Sequence, residues 1–169
     1  MKALEAEYTE VLHCLERIHS GNWEHPWKSQ TVLEQNPVLV NVLAQATMGA
    51  PYTCFNGGLL HAAVRYFDAD RKRPGLPPDV AALVEKIEPQ RTVVSLVNTG
   101  VLHLHRVILE AGAYGEHQFI AAKADAGQAV PVNAQYLEVD LPPGAAVTLD
   151  LRVQRFVNRP SYASPFERH

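Results

Sequence analysis

In the strand-like segment from Ala146 to Phe156 the apolar residues Val147, Leu149, Leu151 and Val153 alternate strictly with Thr148, Asp150, Arg152 and Gln154. A period of two puts every second side chain on one face, so this segment is a strand with one buried side. Leu141-Pro142-Pro143-Gly144 precedes it as a turn. Upstream, residues 91–98, 102–111, 117–122 and 135–141 are strand-like and rich in β-branched residues. They are separated by Thr99-Gly100, Gly112 to Gly115 and Asp125-Ala126-Gly127. Short strands at this regular spacing predict an antiparallel β-sandwich-like domain over residues 91–169. Five strands are few for a closed sandwich. Either residues 59–67, which can be read as helix or strand, supply one or two more, or helices cover one sheet face.

The earlier region, residues 1–90, reads as mainly helical. Leu4, Tyr8, Val11, Leu12, Leu15 and Ile18 recur three and four apart, with Glu5, Glu10, Glu16 and Arg17 opposite, which predicts an amphipathic helix over 3–19 that stops at Gly21. Asn36-Pro37 fits an N-cap followed by proline in the first turn, opening a nearly all-apolar helix over 38–46 that closes at Gly49. Residues 59–67 satisfy both periods: Leu60, Ala62, Val64 and Tyr66 alternate, while Leu59, Ala62, Ala63, Tyr66 and Phe67 form a helical face, the reading preferred here. Pro77-Pro78-Asp79 introduces a further short helix carrying Val80, Leu83, Val84 and Ile87 on one side, ended by Pro89. The fold class expected is therefore α+β, with N-terminal helices packed on the antiparallel domain. The proline-rich tail after Phe156 should run extended and return along the body.

Composition bounds the function. A formal charge of -3 with no dense Lys/Arg stripe gives no electrostatic reason to expect nucleic acid or an anionic membrane as partner. The two cysteines, Cys14 and Cys54, form no C-x-x-C pair, and the acidic N-terminus has no signal-peptide pattern, so a cytoplasmic location is expected.

Three groups of residues could carry chemistry. His103-Leu104-His105 places two imidazoles on one face of a strand, and His117 could join them from the next strand to bind zinc or copper. The simpler reading has Leu102 and Leu104 on the core face and the histidines on the polar face; no cofactor is expected. Glu24 between Trp23 and Trp27 could serve a carbohydrate, because indoles stack on sugar rings and a carboxyl among apolar rings holds its proton. Aromatics anchoring an interhelical loop explain the same residues more simply. Asp68 and Asp70 resemble the start of a calcium loop, but Arg71, Lys72 and Arg73 oppose a cation there. G-x-S-x-G, H-E-x-x-H, G-x-G-x-x-G and the P-loop pattern do not occur.

Several strings are distinctive: Gly57-Gly58-Leu59-Leu60, Val64-Arg65-Tyr66-Phe67-Asp68 and the run from Arg73 to Val84, then the run from Ala111 to Phe119 and the closing Phe156 to Ala163. Together they resemble the C-terminal portion of a group of long bacterial proteins of uncharacterised function, whose ends are similar to the accessory β-sandwich that follows glycosidase catalytic domains. The resemblance covers most of the chain. It implies terminal helices before a β domain and assigns no catalytic residue. The function expected is a non-catalytic accessory or interaction module, docking on a larger parent or partner protein or on another copy of itself. The alternative is a carbohydrate-binding or glycoside-hydrolase-related protein using Trp23, Glu24 and Trp27.

Overall fold

A computed structural model describes residues 2–20, 41–50 and 61–167. These fall into two compact units, residues 1–44 and 45–169. In the first, helix α1 (Lys2–Ser20) forms and buries Cys14, while Tyr8, Leu12 and Leu15 of the expected apolar face are exposed. Helix α2 (Asn41–Met48) runs across the unit boundary. The Glu7 carboxylate of α1 accepts the N–H groups of Val42 and Leu43 at 2.7 and 2.8 Å. Negative charge against free first-turn N–H groups is favourable both as hydrogen bonding and against the helix dipole. Among the described residues no helix is long and apolar enough to cross a membrane.

The second unit holds nine antiparallel strands in two sheets. They are β1 (Val64–Asp68), β2 (Arg73–Pro74), β3 (Val80–Glu88), β4 (Arg91–Asn98), β5 (His105–Ala111), β6 (Gln118–Ala124), β7 (Val130–Ala134), β8 (Tyr136–Leu141) and β9 (Ala146–Gln154). One sheet has the order β2-β1-β5-β8, the other β3-β4-β9-β6-β7. Val64, Tyr66, Val107, Leu109 and Leu141 of the first sheet and Val94, Leu96, Phe119, Leu149, Leu151 and Val153 of the second form one buried cluster. The arrangement is an α+β fold with sandwich-like packing of its sheets. Each of these side chains contributes roughly 1.5–3 kcal/mol by leaving water.

Two segments with helical spacing are strands, and each has a physical reason. Opposite β4, the register of β3 shifts between Val84 and Lys86, a β-bulge. Ala82 and Val84 pack on the core before the bulge, while after it Ile87, paired with buried Thr92, takes the same sheet face and stays half exposed. The phase jump turns an alternating pattern into Val80, Val84, Ile87, which imitates helical periodicity. Strand β1 fits a helical face as well as alternation because both its faces are covered: Val64, Tyr66, Phe67 and Asp68 are all buried. One face meets the core, and the other lies beneath the C-terminal tail, where Phe166 sets its ring edge-on to Phe67 at 6.1 Å.

The tail does return along the body, in discrete steps. Val157 and Asn158 donate their N–H groups to the Glu116 carbonyl at 3.0 and 3.2 Å, and Ser161 N–H reaches the Tyr114 carbonyl at 2.9 Å. Farther on, Tyr136 Oη donates to the Ala163 carbonyl at 3.4 Å. Residues 155–167 thus act as a strap over the outer face of the β2-β1-β5-β8 sheet.

Candidate functional site

The β4–β5 connection is built around one side chain. Asn98, the last residue of β4, is fully buried. Its Nδ2 lies within hydrogen-bonding distance of the carbonyls of His103 (2.9 Å), Leu141 (3.0 Å) and Pro142 (3.1 Å), while Oδ1 accepts Gly100 N–H at 3.0 Å. Thr99 donates its N–H and Oγ1 hydrogen to the Asp79 carbonyl, and Gly144 N–H donates to the Gly100 carbonyl. The buried amide therefore ties the 99–104 loop to the β8–β9 turn, and the backbone is held at both ends.

Side chains on this held backbone point outward. Val101 and Leu102 are 81% and 79% exposed, and Leu104 is 49% exposed. This corrects the expected placement of Leu102 and Leu104 on the core face: β5 begins only at His105, because the Asn98 amide holds His103 in the loop. The two imidazoles of His103-Leu104-His105 consequently do not share a strand face. His117 precedes β6 in the other sheet and is fully buried. Among the described residues no group of three or more His, Cys, Asp or Glu is placed to hold a metal ion. The expected set of His103, His105 and His117 is not brought together. Trp23, Glu24 and Trp27 lie outside the described residues.

A second concentration of polar chemistry joins the 112–117 loop to the strap. The Glu116 carboxylate accepts the N–H groups of Ala113 and Tyr114 at 3.4 and 2.8 Å, folding the loop around itself. Asn158 Nδ2 lies 3.0 Å from the Gly115 carbonyl and 2.8 Å from that of His117. The Tyr114 and Tyr162 rings meet edge to face at 4.9 Å and, with Pro160 and Ser161, line a surface cleft of about 270 Å³. Nearby, Glu110 is fully buried on the outer face of its sheet. It accepts Gln135 Nε2 at 3.1 Å and stands 3.6 Å from Arg65 Nη1. Burial pushes its carboxyl pKa up, against the opposing pull of Gln135 and Arg65. Burial, reinforced by Glu110, likewise raises the Tyr136 phenol to about 12.

His117 sits at the centre of this junction. Its Nδ1 accepts Phe156 N–H at 3.1 Å, so the neutral ring carries its proton on Nε2, toward Glu116 Oε1 at 3.7 Å; Arg155 Nη1, a donor itself, stands 3.4 Å from Nε2 and makes no hydrogen bond to it in this tautomer. Phe156 has φ +56°, the left-handed region that bulky residues rarely occupy, and its ring stands edge-on to the imidazole at 4.7 Å. Burial lowers the His117 pKa.

Asp68 and Asp70 serve the fold. Asp68 Oδ1 accepts Arg71 N–H at 3.0 Å, and Asp70 pairs with Arg106. Nothing in the sequence pattern marks Asn98, Glu110 or Phe156. The Glu116-His117 pair in a glycine-flanked turn was the one available signal, since a charge beside an imidazole in a tight loop needs local partners.

No family model matches the chain, and neither a curated protein nor a solved structure matches it.

Proposed function

We propose that the chain is an interaction module that docks through the apolar tip formed by Val101, Leu102 and Leu104, on another copy of itself or on a larger partner protein. The observation that carries this reading is a mismatch within one loop. Its backbone is pinned by the buried Asn98 amide, yet its three apolar side chains face solvent. Such a loop loses little further freedom when a partner covers it, and each side chain that is fully buried then gains roughly 1.5–3 kcal/mol. A fold without a docking role gains more from turning those side chains inward or replacing them with polar ones.

Light scattering on the wild type and on a Val101→Ser, Leu102→Ser, Leu104→Ser variant over a wide concentration range tests the reading. The wild type is expected to associate and the variant to stay monomeric with an unchanged circular dichroism spectrum. Equal association of both proteins counts against the tip as the docking surface. A wild type that stays monomeric and captures no protein partner through these three residues counts against the module itself.

A further inference from the structure

We infer that His117 is the latch of an acid-opened strap: protonating its imidazole releases Phe156 and frees residues 156–166 from the 112–117 loop and from the outer face of the β2-β1-β5-β8 sheet. The geometry carries this. Phe156 N–H can donate to Nδ1 only while that nitrogen is bare. A proton on Nδ1 sets two donors against each other at 3.1 Å and removes the hydrogen bond beside a strained backbone at φ +56°.

The new charge lies in a fully buried ring, 3.4 Å from the Arg155 guanidinium. The groups facing it are few. Glu116 Oε1, at 3.7 Å, favours the cation, while Arg155 opposes it and is itself braced on the Pro89 and Glu88 carbonyls at 2.7 and 3.0 Å. His61, exposed in the segment before β1, adds opposing charge once protonated. Burial and Arg155 together outweigh Glu116, in agreement with the lowered pKa of the ring.

The strap is suited to respond as a unit, because its next anchors are local to the same loop. Val157 and Asn158 reach the Glu116 carbonyl, and Asn158 also reaches the carbonyls of Gly115 and His117. Losing Phe156 displaces the first of these contacts and leaves the Ser161 bond to the Tyr114 carbonyl, the Tyr136 bond to the Ala163 carbonyl, and the ring contacts of Tyr162 on Tyr114 and Phe166 on Phe67 to hold the rest. Opening uncovers the buried Phe67 and more of the half-buried Tyr136.

The sign follows from linkage. The open form binds its proton with the ordinary histidine pKa near 6.5 and the closed form with a lower one, so the open form takes up more protons between the two values. The ratio of open to closed strap therefore rises by up to about tenfold for each pH unit below about 6.5, until the closed-form pKa is reached.

Amide hydrogen exchange by NMR from pH 7.5 to 5, corrected for the intrinsic pH dependence of exchange, reads that ratio directly. The N–H groups of Phe156, Val157, Asn158 and Ser161 are expected to lose protection with this slope, while those of the core residues Leu109 and Leu151 hold theirs. A His117→Gln variant keeps an acceptor without a titration and is expected to abolish the slope. Should that variant not fold, the wild-type His117 nitrogen shifts decide: Nδ1 must gain its proton as strap protection falls. Constant strap protection, parallel loss in strap and core, or protonation of Nδ1 with the Phe156 bond intact each overturns the latch.

Discussion

Replacing Asn98 by alanine tests the frame that holds the apolar tip. The buried amide offers two N–H hydrogens to three carbonyls and one oxygen to Gly100 N–H, so truncation removes about three net hydrogen bonds. At about 1 kcal/mol each, the loss is about 3 kcal/mol, with the unpaired buried carbonyls setting the upper side of that range. For residues 45–169, an unfolding entropy of about 2.1 cal/mol/K per residue converts this into a fall in Tm of roughly 10 °C.

Asn98→Asp separates hydrogen bonding from packing, because the shape is kept while the donors are replaced by a carboxylate facing three carbonyl oxygens. At pH 7 it is expected to destabilise more than the alanine change. Burial and the carbonyls raise the pKa of the introduced carboxyl above the ordinary value of about 3.9, so the folded state holds its proton where the unfolded state releases it. The penalty is absent below about pH 3.9 and grows as pH rises toward the raised value. Urea titrations of both variants from pH 7 downward are the assay, each compared with wild type at the same pH. An alanine variant within about 0.5 kcal/mol of wild type, or an aspartate variant whose deficit does not shrink on acidification, refutes the reasoning.

Two further substitutions probe the junction beneath the strap. At Gly115, φ is +63° and an added Cβ would overlap the Gln135 amide, so Gly115→Ala is expected to cost about 2–3 kcal/mol in a urea titration by combining left-handed backbone strain with loss of the Gln135 bond to Glu110. Phe166→Ala removes the ring packed edge-on to Phe67 and should lower stability by about 2 kcal/mol, whereas an unchanged urea midpoint would mean that the end of the strap contributes no packing.

Where alternation survives in the sequence, the fold was legible. The expected segment 91–98 coincides with β4, and the expected strands near β6, β8 and β9 differ from the observed ones by one or two residues at their ends. Alternation is ambiguous where both sheet faces are covered, as at Phe67 in β1, and it is scrambled where a bulge shifts its phase, as in β3. Strand β7 escaped notice because Pro131 interrupts a short run. The structure accommodates it by placing β7 at the sheet edge, where a missing N–H costs no ladder bond. The tip escaped for a different reason. Leu102 and Leu104 alternate with histidines as a buried strand would, and only the Asn98 amide, reaching five residues along the chain to the His103 carbonyl, turns that segment outward. A long-range tie made by a single amide leaves no periodic trace in the sequence.

Three of the distinctive strings have a common explanation in the fold, while Gly57 to Leu60 lies outside the described residues. The run from Ala111 to Phe119 contains the loop that Glu116 folds around itself, and the run from Phe156 to Ala163 is the strap that this loop receives. Their unusual residues are mutual fittings: Gly112 and Gly115 occupy left-handed backbone against the side chains of Glu116 and Gln135, while Asn158 bridges two carbonyls of the loop. Tyr114 meets Tyr162, and His117 meets Phe156. Val64 to Asp68, another of the strings, is the strand that the far end of the same strap covers through Phe67. Residues so specific in kind can satisfy buried polar groups without forming a reaction centre, because an unpaired buried carbonyl or amide costs about 1–3 kcal/mol and constrains its partner as narrowly as a substrate would. These three strings therefore specify a closure, and the exposed Val101, Leu102 and Leu104 of the β4–β5 loop lie outside them.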